Sequence, residues 1–315
     1  MIYNWNIIGH DKQLEQLETD ISTGNVSHAY LLCGPGHIGK YTVAKKIAAI
    51  LQCENNFCGV CPTCVQVRKG SHIDTMEFEN NHEALKIEHV REIIARCNMS
   101  PQGRYKVVIL QSIGRMTIEA SNALLKTLEE PPRKTIFIMT TSNVREILPT
   151  ILSRARVVRF HLFPHEFLIQ MLKKKYPDID DEKLDQAARL SLGRAGLAID
   201  LMEQPEKFAD YLKLYKDISY LLETNNIVER FSYIDEILED EKRDDESHNV
   251  RINDFLNVMT HVLRTRMIDE EVSGGEKKGV DVRALIDMIA KVQDASFLLK
   301  KNVNAKLLLE NLMLN

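Results

Sequence analysis

The chain has 315 residues, of which 44% are hydrophobic and 27% charged, with 14 Gly and 9 Pro. That balance belongs to a globular protein with a real core and excludes collagenous and low-complexity classes. At ~150 residues per domain, the length allows two domains or three. A net charge of −4 excludes a protein that relies on non-specific attraction to DNA phosphates, though not one with a local basic face. The longest apolar runs, such as residues 107–110, fall far short of the ~18 residues of a membrane helix. Residues 1–6 lack the basic segment and apolar core of a secretory signal, so a cytoplasmic address without a membrane partner is expected.

In chain order, Leu14, Leu17 and Ile21 fall at helical spacing, with Gly24 placed to end that helix. Residues 29–33 form a continuous apolar run, which fits a buried parallel strand. Val43, Ala44, Ile47, Ala48 and Leu51 mark one face of a second helix. Residues 73–78 carry a weak strand signal. Ile87, Val90, Ile93, Ile94 and Cys97 mark another helix, broken by Pro101-Gln102-Gly103. Residues 105–110, 136–139 and 157–160 read as further strands. Between them, residues 117–130 read as a helix stopped by Pro131-Pro132, with Ile118, Leu125 and Leu128 on its buried face. Strands alternating with helices predict a parallel sheet covered on both faces.

Beyond residue 161 the strand signal ends. Residues 161–204 read as short helices broken at Gly193 and Gly196. Residues 205–315 read as helical, interrupted by the charge run at 239–246 and by Ser273-Gly274-Gly275. The charge run reads as a solvated turn. Three domains are therefore expected, at 1–160, 161–204 and 205–315.

Gly34-Pro35-Gly36-His37-Ile38-Gly39-Lys40 matches a phosphate loop through its lysine, between a strand and a helix. Glycines let backbone N–H groups crowd around phosphate oxygens, the helix N-terminus adds positive potential, and Lys40 reaches the terminal phosphates. The next position should carry the hydroxyl that ligates magnesium, yet it is Tyr41. Thr42 bears a hydroxyl, but it is turned ~100° further round the helix. A hydrolysing site also needs a carboxylate at the end of a neighbouring strand. The strand at 107–110 ends in Gln111-Ser112, leaving Asp74 and Glu77 as the only obvious stand-ins. ATP binding is left open, and hydrolysis at this site is expected to be lost.

Cys53, Cys58, Cys61 and Cys64 lie within twelve positions and include two successive C-x-x-C pairs. Four thiolates suit a structural zinc ion, and tight turns at Gly59 and Pro62 let the sulfurs converge. An iron–sulfur cluster or a redox-active thiol pair are the alternatives. Cys33 and Cys97 lie on apolar faces and read as core residues.

Several segments together carry a resemblance. They are His28-Ala29-Tyr30-Leu31-Leu32, the phosphate loop, the cysteines after the next helix, the segment from Asn122-Ala123-Leu124-Leu125 to Pro131-Pro132, and Leu152-Ser153-Arg154. The chain resembles the bacterial DNA polymerase III clamp-loader ATPases of the AAA+ superfamily, in order over residues 1–200. Asn302-Val303-Asn304 to Leu309 is similar to that family's C-terminal helix.

The resemblance implies an α/β AAA+ domain with a zinc module at 53–64, a small helical lid, and an all-α collar domain that holds subunits in a ring. With Tyr41 and Gln111-Ser112, the chain is closer to the non-hydrolysing delta prime type of subunit than to the gamma/tau motor type. The family's Ser-Arg-Cys motif stands here as Ser153-Arg154-Ala155, and the resemblance implies that Arg154 reaches a neighbour's ATP. The lid's sensor arginine would fall near 194–196, where Gly196 takes its place. Implied partners are the gamma/tau and delta subunits, the sliding clamp and primed DNA, with Arg91, Arg96 and Arg104 as candidate phosphate contacts. A true ATP-hydrolysing motor and a zinc nucleic-acid-binding module are the competing functions.

Overall fold

The apolar runs of the first half pair side by side. In the computed structural model β1 (Ala29–Cys33), β2 (Thr75–Phe78), β3 (Lys106–Leu110), β4 (Thr135–Thr141) and β5 (Arg156–Arg159) form one sheet, every pairing parallel, in the order β2-β3-β4-β1-β5. Strands β1, β3 and β4 are buried along their whole length, as expected of a parallel sheet covered on both sides. The structure describes residues 2–55, 57–78, 85–224, 226–239, 245–272, 282–299 and 303–314.

Alternate side chains along each strand feed two cores. Tyr30, Leu32, Val107, Ile109, Ile136 and Ile138 face α1 (Asp11–Ser22) and α2 (Lys40–Gln52), meeting Leu14, Leu17, Val43, Ala44 and Ile47. On the other face Leu31, Val108, Leu110, Phe137 and Met139 meet Val90, Ile93 and Cys97, and Ala120, Leu124 and Leu128. These come from the helices that follow α3 (Pro62–Arg68), namely α4 (Ile87–Cys97) and α5 (Ile118–Glu129). Each fully buried Leu, Ile or Phe here contributes roughly 1.5–3 kcal/mol relative to exposure. Thr117 caps α5 by accepting from the Ala120 N–H at 3.1 Å. A short α6 (Pro149–Leu152) leads into β5.

Three local expectations need correction. Ile118 is 69% exposed, because the buried stripe of α5 runs through Ala120, Ser121, Leu124, Thr127 and Leu128, and Ile118 falls off that line. Strand β2 begins only at Thr75, because the Thr75 N–H turns back to the His72 carbonyl and leaves Ile73 exposed. Gly196 does not break a helix: after α7 (His165–Lys175) and α8 (Asp181–Leu190), it sits in the first turn of α9 (Ala195–Glu203).

The chain divides into two compact units, residues 1–171 with 193–197, and residues 172–192 with 198–315. The second is helical among the described residues. It contains α10 (Pro205–Leu221), α11 (Ile227–Glu239), α12 (Asp245–Val272), α13 (Val282–Leu299) and α14 (Ala305–Met313). Ile218, Ile234, Phe255, Met259 and Leu309 are fully buried there. Arg230 ties three segments together, donating to the carbonyls of Leu221, Thr224 and Met313 at 3.0, 2.8 and 2.7 Å. Residues 240–244 of the charge run, Ser273-Gly274-Gly275 and Asn302 lie outside the described residues. Among the described residues, no helix is long and apolar enough to cross a membrane.

Candidate functional site

Strand β1 delivers the chain into the loop at residues 34–39, at the carboxyl edge of the sheet where open α/β folds place their ligands. Gly34 stands at φ +150°, and a Cβ there would lie 2.4 Å from the Phe160 carbonyl oxygen, so only glycine lets the loop pass β5. Gly39 caps α2 at φ +97°, and Gly36 is exposed. His10 supports the loop from beneath. It packs between Phe160 and Phe163, bonds to the Ile38 backbone, and is held neutral by burial, with its pKa lowered to about 4.

The Lys40 ammonium folds back onto its own loop, donating to the carbonyls of Gly34 and Pro35 at 2.7 and 2.6 Å. Burial, with a further push from the Arg194 charge, lowers its pKa to about 8. Arg194 therefore lies near the loop, and the α9 backbone touches it directly. The Leu197 N–H donates to the His37 carbonyl at 3.2 Å, and a Cβ on Gly196 would stand 2.5 Å from that oxygen. A side chain at 196 has no room.

The metal side of the site is differently built. The Tyr41 hydroxyl donates to Glu77 Oε2, which also pairs with the Lys45 ammonium at 3.2 Å. Asp74 is buried and accepts from the Gly103 N–H at 2.7 Å. Both stand-in carboxylates are thus committed within the chain. Gln111 and Ser112 follow the end of β3 without a negative charge, and Thr42 is exposed, off the loop's line. The loop retains the features that suit a phosphate, whereas positions 41, 111 and 112 offer magnesium no usual ligand.

The four cysteines converge. Cys53 caps the C-terminus of α2, Cys61 caps α3, and Cys64 lies within α3. Their sulfurs all lie within 4.8 Å of one another, with Cys53 Sγ 3.9 Å from both Cys58 and Cys61. Tetrahedral Zn–S bonds of about 2.3 Å place sulfurs about 3.8 Å apart, so the four thiols could hold one zinc ion. Backbone N–H groups of Val60 and Cys61 lower the Cys58 thiol pKa to about 7, and the Cys64 N–H points at Cys61 Sγ at 3.4 Å. Both contacts favour thiolate. Cys33 and Cys97 are buried elsewhere in the core.

Arg154 stands in the turn between α6 and β5, with its side chain 33% exposed. Arg91 and Arg96 are exposed on α4, while Arg104 lies against the cysteine segment, 3.5 Å from the Cys53 carbonyl.

Residues 9–164 match the family model described as "DNA polymerase III, delta subunit". The DNA polymerase III subunit gamma of Buchnera aphidicola is 32% identical over 210 residues, covering 64% of this chain and 58% of that relative. Residues 9–164, which make up most of the α/β unit, are thus similar to DNA polymerase III clamp-loader subunits. The tau subunit of Escherichia coli, 28% identical over 246 residues, covers 74% of this chain and only 38% of its own length. A solved gamma subunit-related protein from Thermotoga maritima aligns over 95% of this chain and 97% of its own, at 22% identity and a TM-score of 0.45. The clamp-loader family reading agrees with the α/β domain, inserted cysteine module and helical continuation described above.

Two parts of this site were not legible in the sequence. The sequence marks Glu77 only as a stand-in metal ligand, yet it is the partner of Tyr41. His10 gave no signal, because its burial depends on Phe160 and Phe163, far away in the chain.

Proposed function

We propose that this chain is the non-hydrolysing, delta prime-type member of a DNA polymerase III clamp loader. In this reading it binds gamma/tau and delta subunits, completes the ring that opens a sliding clamp on primed DNA, and contributes Arg154 to a neighbour's ATP. The observation that carries it is the contrast between two places. The chain's own nucleotide site has Tyr41 committed to Glu77 and no carboxylate at 111 or 112. Arg154, which would serve another chain's ATP, is retained and partly exposed.

Cys53, Cys58, Cys61 and Cys64 hold a structural zinc ion in this reading, residues 161–204 form the lid, and residues 205–315 form the collar. Gly34, Gly36, Gly39 and Lys40 form a degenerate nucleotide loop with Tyr41 and Thr42. A planar guanidinium can neutralise charge developing on a transferred phosphoryl group and grip two oxygens at once. Such an arginine is worth roughly 10³–10⁵ in rate in other phosphoryl-transfer systems. The effect on a whole complex is smaller, because one chain serves one of several sites.

The similarity to gamma and tau subunits favours a second reading, an ATP-hydrolysing motor. ATP turnover by the isolated chain, and by its mixture with motor subunits, decides between them. The chain alone should show none above background. In the mixture, Arg154→Ala should reduce DNA-stimulated turnover and clamp loading without disturbing assembly, and Arg154→Lys should rescue poorly. Turnover by the chain alone that Lys40→Ala abolishes would establish the motor.

A further inference from the structure

Arg154 does not project freely into solvent. Its Nη2 meets Glu129 Oε1 at 2.7 Å, and its Nη1 donates to the Thr150 carbonyl at 3.0 Å and to Ser153 Oγ at 3.1 Å. The Ser153 hydroxyl is itself oriented, donating to the same Thr150 carbonyl at 3.0 Å. The guanidinium is therefore clasped by two elements, the last residue of α5 and the turn that closes α6. A freely jointed arginine side chain has large rotamer entropy, and these contacts remove it in advance.

The carboxylate is 48% exposed and the arginine 33% exposed. An ion pair that open to water contributes little to stability, so it has little reason to be there for folding alone. Glu129 is the last residue of α5, immediately before Glu130 and the Pro131-Pro132 stop. Fixing a side chain before the transition state forms moves the ordering cost out of the catalytic step.

We propose that Glu129 is a positioning residue for Arg154, holding the guanidinium beside edge strand β5 so that a nucleoside triphosphate on a neighbouring chain meets a pre-ordered cation. This rests on the reading of Arg154 as a trans arginine. Glu129 touches no phosphate; it acts through Arg154 alone.

The test uses the complex reconstituted from the full chain and its motor and delta partners, reading DNA-stimulated ATP turnover. Glu129→Ala should lower kcat by about 3- to 10-fold at the site served, the size expected for releasing one ordered side chain, with KM for ATP unchanged. Glu129→Asp should restore part of the loss. In an Arg154→Ala background, Glu129→Ala should cause no further loss. That dependence separates positioning from a merely structural role. Losses that add, accompanied by a lower melting temperature, would assign Glu129 to local structure instead. A faster Glu129→Ala complex would mean that the carboxylate restrains the arginine, which also overturns the proposal. An Arg154→Ala complex with wild-type turnover removes the trans arginine itself, whereas an impaired Arg154→Ala beside an unaffected Glu129→Ala removes only the positioning role.

Discussion

The Tyr41 hydroxyl donates to Oε2 of Glu77, bonding the first turn of the phosphate-loop helix α2 to strand β2. Lys45 pairs with the same oxygen, and the Tyr41 ring packs against the core between α1, α2 and the sheet. A position that in a hydrolysing loop carries a small metal-binding hydroxyl is thus built into the scaffold.

Restoring that hydroxyl by Tyr41→Thr should therefore fail to create an ATPase. It leaves 111 and 112 without a carboxylate and strips Glu77 of a partner, at a cost of about 1–3 kcal/mol. Steady-state turnover and a thermal melt read both effects. Turnover well above background in the single variant would show that a carboxylate elsewhere serves the metal.

The charge on Lys40 makes the loop pH-sensitive. Its folded pKa of about 8 lies below the usual lysine value, so the unfolded chain binds more protons between pH 8 and about 10.5. Stability from this group accordingly rises with pH through that window. Nucleotide affinity should move the other way, falling above pH 8 as the ammonium that would face phosphate loses its proton. Calorimetric titration of ADP at pH 7 and pH 9 measures it, with Lys40→Ala abolishing the dependence. An affinity that is flat with pH in the unmodified chain contradicts this account of the loop.

One zinc ion per chain is expected from metal analysis of reduced protein. Cys58→Ser or Cys61→Ser should release it and loosen the segment around residues 53–70, because such sites couple metal binding to local folding. Cys53 ends the helix that Lys40 begins, so the melt of the α/β unit should also fall. Iron with visible absorbance, or metal-free protein that melts like the holo form, would refute the assignment.

Gly196→Ala should destabilise the α/β unit by about 1–3 kcal/mol, because the added Cβ meets backbone, not a yielding side chain, 2.5 Å away at the His37 carbonyl. Gly196→Arg should not recreate a sensing arginine and should cost at least as much. A melting temperature unchanged in the alanine variant would show that α9 shifts freely away from the loop.

Sequence alone was enough for the features that depend on local spacing. Short continuous apolar runs located β1, β3, β4 and β5, and period-3.6 apolar patterns located the helices α1, α2, α4 and α5. The glycine spacing located the phosphate loop, and the C-x-x-C pairs located the four thiols. Tyr41 and Gln111-Ser112 are substitutions visible without coordinates. What needed the tertiary structure were pairings between residues distant in the chain, since no local period encodes them. Tyr41 finds Glu77 36 positions away, His10 rests on Phe160 and Phe163, and Arg154 is clasped by Glu129 from another helix. The exposure of Ile118 belongs with them: its apolar side chain suggests burial, but its angle around α5 relative to the sheet decides.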